Sequence, residues 1–240
     1  MGTQLPHLNF DGIGRVLCVV AHPDDMEYGA SAAVAELTDA GVEVHYLLIT
    51  AGEAGIREMK PAETVALRRD EQQEACAVVG VNDLEILDFP DGLVENNLEL
   101  RQAIAEHIRK VRPDVVITMT WELTVGWGLN HADHRNVGLA TVDAIRDADN
   151  PWLFTELADA GLAPWSTKQL WVTAHNEPNA AVRVGEKAKD RAVQSLAAHK
   201  IYLESLPDHM APEKFIPEIL RGGGEAAGTE YAAPFRRYEF

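Results

Sequence analysis

The sequence predicts an α/β fold with a Rossmann-like, mostly parallel sheet that is covered by helices on both faces. Over the first 150 residues, short β-branched and aliphatic runs alternate with longer segments of helical periodicity. This alternation is typical of parallel strands joined by crossover helices. The 240-residue chain is also 46% hydrophobic, which is enough for a buried core.

The predicted elements follow one another in chain order. We expect strands at 15–21, 42–50, 84–89, 114–120 and 168–175, and helices at 31–41, 61–80, 98–112, 133–148 and 186–206. Pro61 and Gly80 stand where proline and glycine commonly begin and end a helix. The segment GGGEAAG (222–228) predicts a mobile loop before the aromatic end FRRYEF.

The domain organisation predicted from this pattern is simple. We expect a single α/β domain over 1–240, with a core at 15–175 and a C-terminal helix and tail at 186–240. The sequence leaves open whether the chain forms a homo-oligomer.

Charge and composition exclude several classes of protein. Lys and Arg number 21 against 38 Asp and Glu, a net charge of −17, so we expect no binding to nucleic acid or anionic membranes. No signal-peptide pattern is visible, and no apolar run approaches the roughly 18 residues of a membrane span. Two cysteines, Cys18 and Cys76, provide neither a disulfide framework nor a CxxC metal site. We therefore expect a cytoplasmic protein.

Polar residues follow four successive predicted strands at the point where each strand ends. HPDD (22–25) follows the first strand, AGEAG (51–55) the second, PDG (90–92) the third, and a longer loop ending in NHADH (130–134) the fourth. The carboxyl ends of parallel strands meet at one edge of the sheet, where ligands bind in open α/β folds. Four such loops together predict a binding site at that edge.

HPDD and HADH have the ligand chemistry of a metal site. Zinc binds imidazole nitrogen and carboxylate oxygen, and a catalytic zinc has three protein ligands and one open position. Pro23 stiffens the turn after His22, so the two aspartates that follow are expected to point in different directions. HPDD alone is also an ordinary turn, and His-x-x-His alone is a weak signal, but the strand-end pattern favours a metal.

The motifs together resemble a known family. AHPDD, TAGEAG, an Arg-x-x-Glu helix, PDG and HxDHR occur in this order over residues 15–148, as in the PIG-L/LmbE-like family of zinc-dependent N-acetylglucosaminyl (GlcNAc-PI type) de-N-acetylases. The AHPDD and HxDH pair is the specific part of this resemblance. It implies hydrolysis of an N-acyl group, such as acetyl, from a small-molecule amino sugar or related amide. Zn²⁺ is the implied cofactor, and Fe²⁺ stays open because two histidines and one aspartate suit both ions.

The resemblance also implies roles for individual residues. Its metal ligands would be His22, Asp25 and His134. Its catalytic residues would be Asp24, His131 and Asp133. The positions that line the sugar pocket in some members are Glu53, Arg68 and Asp91. Asp24 would act as the general base, His131 would polarise the amide carbonyl, and Asp133 would orient or charge His131.

The chain departs from the family pattern at several positions. Ala132 stands where the second motif commonly has proline, and Leu129 where some members have a tyrosine that helps to hold the oxyanion. His199 is not followed by the Ser-Gln or Thr-Gln of many members, so we assign it no role. We expect the segments 121–130 and 210–230 to shape the pocket.

Three alternatives to a deacetylase remain at this point. An amidase acting on a thiol conjugate would use the same metal ligands. A metal-dependent hydratase would add water to a double bond, but the intact HPDD and HxDH motifs argue against it. A non-catalytic metal-binding relative would have no use for Asp24. A dinucleotide-binding protein is disfavoured because no GxGxxG follows the first strand.

Overall fold

Helices and strands alternate in the computed structural model, which describes residues 4–240. The strands are β1 (Arg15–Val20), β2 (Glu43–Leu48), β3 (Asp83–Ile86), β4 (Val115–Met119), β5 (Thr124–Val125), β6 (Gly128–Leu129), β7 (Gln169–Thr173), β8 (Ala180–Arg183) and β9 (Ala232–Glu239). The helices are α1 (Asp25–Gly29), α2 (Ser31–Asp39), α3 (Pro61–Val79), α4 (Leu98–Val111), α5 (Ala132–Asp149), α6 (Thr155–Asp159), α7 (Glu186–Ala197), α8 (Lys200–Ser205) and α9 (Pro212–Ala227). In the described part of the chain, no helix combines the length and apolar character needed to cross a bilayer.

The main sheet has seven strands within residues 4–240, in the order β3-β2-β1-β4-β7-β9-β8. The first five strands in this order pair in parallel. Only β9 runs antiparallel to its neighbours, β7 and β8. The structure therefore confirms the predicted mostly parallel α/β fold. Short β5 and β6 form a separate hairpin after β4.

Strand β1 shows why the sheet is buried on both faces. Val16, Cys18 and Val20 pack into one hydrophobic core, whereas Leu17 and Val19 pack into another, because successive side chains of a strand point to opposite faces. Residues of α2, α3, α7 and α9 complete the first core, and residues of α4 and α5 complete the second. The continuous apolar run of β1 is thus the pattern of a strand covered on both sides.

The C-terminal part differs most from the prediction. GGGEAAG, expected as a mobile loop, lies in the last turns of α9 and at its end, and the following β9 joins the main sheet. Close packing accounts for the glycines. A Cβ on Gly223 would overlap the carbonyl oxygen of Ala232, and a Cβ on Gly224 would overlap that of Glu230. The missing side chains let α9 approach the backbone that leads into β9.

The helix predicted over 186–206 is also interrupted. The structure divides it into α7 and α8, and His199 between them has a non-helical backbone with φ −76° and ψ 49°. The His199 side chain is fully buried, with Nε2 3.6 Å from Oε2 of Glu27. The chain turns at this residue, and Tyr202 of α8 packs on Arg68 of α3.

Two glycine substitutions in α9 test the packing explanation. We expect Gly223→Ala to lower the free energy of unfolding by about 1–3 kcal/mol, because the new methyl group must push the helix away from Ala232. Gly222→Ala is the matched control, since nothing lies within 4 Å of its Cβ position. It should raise the free energy of unfolding by about 0.5–1 kcal/mol through higher helix propensity. Urea denaturation measures the free energy of unfolding of both variants. Equal changes in the two variants would contradict the packing explanation.

Candidate active site

The loops after β1, β2, β3 and β4 meet at one edge of the sheet, as expected from the parallel order of these strands. Side chains from these loops and from α3 and α5 line a cavity of about 790 Å³. The predicted site residues among them are His22, Asp24, Asp25, Arg68, Asp91, His131 and His134. Glu53 and Asp133 do not line the cavity wall and contact the other residues from behind it.

Three of these side chains bring their ligand atoms close together. His22 Nδ1 lies 3.2 Å from His134 Nε2. The Asp25 carboxylate lies 3.7 Å from His22 Nδ1 and 3.2 Å from His134 Nε2. Bonds of about 2.0–2.1 Å to one tetrahedral ion place neighbouring ligand atoms roughly 3.3 Å apart. The spacing of His22, Asp25 and His134 therefore fits a divalent metal ion.

Hydrogen bonds behind the two histidines determine which ring nitrogens are free. His22 Nε2 lies 3.0 Å from Asp91 Oδ1 and 3.1 Å from Asp133 Oδ2. His134 Nδ1 lies 3.0 Å from Asn130 Oδ1. His22 Nε2 and His134 Nδ1 therefore each donate an N–H to an oxygen acceptor. In the neutral rings the other two nitrogens, His22 Nδ1 and His134 Nε2, carry lone pairs that face each other. A cation between them satisfies both.

The charges around His22 also favour a cation. Burial acts to lower the pKa of His22, but hydrogen bonds to Asp133, Asp25 and Asp91 outweigh it and raise that pKa well above its ordinary value. Burial acts to raise the pKa of Asp25, but His134 and His22 outweigh it and hold that pKa far below its ordinary value. Oδ2 of Asp25 also accepts the backbone N–H groups of Ala21 and His22, at 3.0 and 2.8 Å. The carboxylate is therefore ionised and fixed in place.

Asp24 is held by residues of α3 in an uncommon backbone conformation. Its φ of 88° lies in the left-handed region, which residues other than glycine rarely adopt. The Asp24 N–H donates to Gln72 Oε1 at 3.0 Å, and Arg68 donates to Asp24 Oδ1 at 3.0 Å and to the carbonyl of Pro23. Within the described residues, Oδ2 of Asp24 has no hydrogen-bond partner. Burial raises the pKa of this carboxyl against the opposing charge of Arg68.

His131 is the N-cap residue of α5 and lines the same cavity. Its Nδ1 accepts the backbone N–H of Asp133 at 3.2 Å, so the ring proton of the neutral imidazole lies on Nε2. Partial burial and the nearby His22 lower the pKa of His131. A neutral His131 can thus donate a hydrogen bond from Nε2 into the cavity.

Asp133 contacts both His131 and the candidate metal ligand His22. The backbone N–H of Asp133 orients His131, whereas its carboxylate bonds elsewhere. Oδ2 accepts from His22 and from the Gly92 N–H at 2.7 Å, and Oδ1 accepts the Val94 N–H at 3.2 Å. The side chain of Asp133 therefore supports His22, a candidate metal ligand, and links α5 to the loop after β3.

The three residues implied for the sugar pocket occupy different environments. Glu53 Oε1 accepts the Asp91 N–H at 2.9 Å, and Asp91 Oδ2 accepts the Ala54 N–H at 2.8 Å. These two bonds join the loops after β2 and β3. Arg68 is only 2% exposed, and its guanidinium lies 3.5 Å from the centre of the Tyr202 ring. Direct substrate contact by Glu53, Arg68 and Asp91 stays a prediction.

Sequence reasoning missed Asn130, which supports His134. The Asn130 amide donates from Nδ2 to the carbonyls of Thr120 and Glu122, at 2.8 and 3.0 Å, and these bonds turn Oδ1 toward His134. The residue directly precedes HADH, which is the only sequence signal for it. Gln72 and Tyr202 were missed because their partners, Asp24 and Arg68, lie far away along the chain.

Asn130→Ala tests this supporting contact. We expect metal affinity to fall by about 10- to 100-fold, as is typical when a residue that orients a metal-ligating histidine is lost. Asn130→Asp retains an acceptor oxygen and should lose less affinity. The matched control is Asn82→Ala, which changes an exposed residue and should bind the metal like the wild type. Competition with a metal-sensitive chelator measures all three, and an unchanged affinity in Asn130→Ala would remove the residue from this role.

Comparison with known proteins decides the family. The sequence pattern of PIG-L, GlcNAc-PI de-N-acetylase, matches residues 17–145, which is more than half of the chain. The chain belongs to the PIG-L family. The matched region contains both histidine motifs and all the residues that the resemblance implied, so the family assignment made from the sequence is confirmed.

Several proteins that are similar to this chain are deacetylases. Diacetylchitobiose deacetylase from Thermococcus kodakarensis is 32% identical over 234 residues, which cover 95% of this chain and 84% of that protein. The solved structure of N,N'-diacetylchitobiose deacetylase from Pyrococcus horikoshii aligns with a TM-score of 0.86 at 27% identity, covering 96% of this chain and 85% of that one. The 1D-myo-inositol 2-acetamido-2-deoxy-alpha-D-glucopyranoside deacetylase from Kineococcus radiotolerans is 27% identical, covering 88% of this chain but only 64% of that protein.

Proposed function

We propose that this chain is a metal-dependent hydrolase that removes an N-acyl group, such as acetyl, from an amino sugar or related amide. One observation carries the proposal: Asp24 and His131 line the same cavity as the ligand group of His22, Asp25 and His134. The deacetylase relatives support the substrate class. Zinc is the proposed ion because it prefers this donor set with one open position, and Fe²⁺ is the second candidate.

The chain's own residues supply a base and a hydrogen-bond donor. A divalent ion held by His22, Asp25 and His134 would supply Lewis acidity, which activates a water for attack and polarises the acyl oxygen. Oδ2 of Asp24 takes the proton from the attacking water. His131 donates from Nε2 to the acyl oxygen as negative charge develops there, and a donor in such a position is worth about 10²- to 10³-fold in kcat.

The C–N bond then breaks, and the proton held by Asp24 passes to the leaving amine nitrogen. The products are a carboxylate and a free amine, with one water consumed. Arg68 keeps Oδ1 of Asp24 in place during both proton transfers, since it is buried and bonded to that oxygen. We place the amine portion of the substrate beside Asp91 and Arg68, which line the cavity.

Amine release tests the proposed function. Zinc-loaded protein is incubated with N-acetylglucosamine, diacetylchitobiose, an N-acetylglucosaminyl inositol, a thiol-conjugate amide and a simple N-acetylated amine, and primary amine is quantified. We expect amine from at least one amino sugar. Release from the thiol conjugate alone would favour the amidase. No amine from any compound, together with hydration of an unsaturated carboxylic acid by the same preparation, would replace the proposal by a hydratase.

A further inference from the structure

The cavity that contains the metal-ligand group extends well beyond it. Its volume of about 790 Å³ lies in the range of pockets that bury a drug-sized molecule, roughly 300–1,000 Å³. The charged and histidine side chains described above all belong to one half of the lining. The other half is formed by Tyr28 and Gly29 of α1, by α9 and by the first residues of β9. We call this second half the apolar half.

The apolar half has a uniform chemical character. Its side chains are Tyr28, Phe215, Ile219, Leu220, Ala233 and Pro234. None of these described residues carries a charge at neutral pH. Tyr28 is the one with an ionisable side chain, and burial and the negative charge of Asp24 raise its pKa above the ordinary value. The Tyr28 hydroxyl is engaged with His209 Nε2 at 2.6 Å, and its ring packs edge-on against Phe215 with centroids 5.5 Å apart. Such a surface gains little from a hydroxyl-rich sugar and favours an alkyl group.

The sheet order places Asp91 and the α9–β9 part of the apolar half on opposite sides of the metal-ligand group. His22 and Asp25 follow β1, whereas Asp91 follows β3 on one side of it. On the other side the strands run β4, β7 and β9, so β9 lies three strand spacings, about 14 Å, from β1. Val172 pairs with Arg236, which places Pro234 beside the carboxyl end of β7, at the edge that contains the site.

This arrangement assigns directions to the two ends of an amide substrate. The attacked carbonyl carbon lies between the amine and the acyl chain. With the amine portion beside Asp91 and Arg68, the acyl chain leaves the metal-ligand group toward β7 and β9. It therefore enters the apolar half, which a methyl group would leave almost empty.

We propose that the apolar half binds the acyl chain and that the preferred substrates carry an N-acyl group longer than acetyl, a medium-length alkyl chain. This inference rests on the proposed hydrolysis and names its acyl specificity. Water adds to the carbonyl carbon and the C–N bond breaks as above, so the products are a medium-chain carboxylate and the amine.

The first test gives the zinc-loaded enzyme three substrates, which have no eight-carbon chain, such a chain on the acyl side, or such a chain on the sugar side. These are N-acetylglucosamine, N-octanoylglucosamine and the octyl glycoside of N-acetylglucosamine. Each buried methylene can raise kcat/KM by up to about fourfold. We therefore expect kcat/KM for the octanoyl amide to exceed that for the acetyl amide by about tenfold or more. The octyl glycoside should gain much less.

A pair of variants connects this preference to the apolar half. Ile219→Asp places a charge among its lining residues and should lower the octanoyl-to-acetyl ratio of kcat/KM by about tenfold. Leu139→Asp on α5 is the matched control, since Leu139 is 40% exposed against 37% for Ile219 and does not line the cavity. Its ratio should equal that of the wild type. Thermal melts of both variants verify that they fold.

Binding of carboxylate products gives a readout that needs no turnover. Calorimetry should show octanoate binding the wild type at least tenfold more tightly than acetate, with this difference lost in Ile219→Asp and retained in Leu139→Asp. Equal kcat/KM for acetyl and octanoyl amides, a larger gain for the octyl glycoside, or equal affinity for acetate and octanoate would each overturn the acyl assignment. Absence of amine from all three substrates would instead count against the proposed hydrolysis itself.

Discussion

Asp24→Asn is expected to lower kcat by about 10²- to 10⁴-fold while the protein still binds one metal ion per chain. The amide has the size of the carboxyl group and its oxygen can still accept the hydrogen bond from Arg68, but it cannot take the proton from the attacking water. Steady-state amine release gives kcat, and elemental analysis after gel filtration gives the metal content.

The matched control for this variant is Asp88→Asn. The Asp88 side chain is 97% exposed and pairs with Arg69 at the surface, so its amide should retain wild-type turnover. Near-normal kcat in Asp24→Asn would show that another group is the general base. Loss of the metal from Asp24→Asn would show that the effect on kcat does not report proton transfer.

His134→Ala is expected to abolish both metal binding and turnover. The imidazole provides one of the three candidate ligand atoms, Nε2, which lies 3.2 Å from His22 Nδ1 and 3.2 Å from Asp25 Oδ1. Losing a direct ligand should weaken metal affinity by more than the roughly 10- to 100-fold typical of a supporting residue. The two losses should therefore exceed those of Asn130→Ala measured under the same conditions.

The control for His134→Ala is His7→Ala, which removes an exposed imidazole outside the ligand group. It should keep wild-type metal content and activity. Full metal occupancy in His134→Ala would exclude His134 as a ligand, and metal loss in both histidine variants would point to surface binding. Circular dichroism of the metal-free proteins separates metal loss from unfolding.

The sequence was sufficient to predict the elements whose signals are local. Continuous apolar runs correctly marked β1, β2, β4 and β7, because these parallel strands are buried along almost their whole length. Pro61 and Gly80 correctly bounded α3, where Gly80 has a φ of 80° at the C-cap. The meeting of HPDD and HADH followed from parallel strand order alone, since both motifs follow strands whose carboxyl ends share one edge of the sheet.

The contacts that were not predicted join residues whose proximity no local pattern encodes. Arg68 reaches Asp24 across 44 positions of sequence. The glycines of α9 suggested mobility because sequence shows the lack of a side chain but not the backbone packed against it. Only the folded chain shows the carboxylate of Asp133 beside His22.

Metal titration of metal-free protein tests the central claim most directly. The protein is stripped with a chelator, and amine release from the best amino-sugar substrate is followed as zinc is added to the wild type and to Asp24→Asn. The account predicts that wild-type activity rises linearly and stops at one zinc per chain, while Asp24→Asn binds the same zinc and stays inactive. Amine release by wild-type protein without any metal would contradict the account.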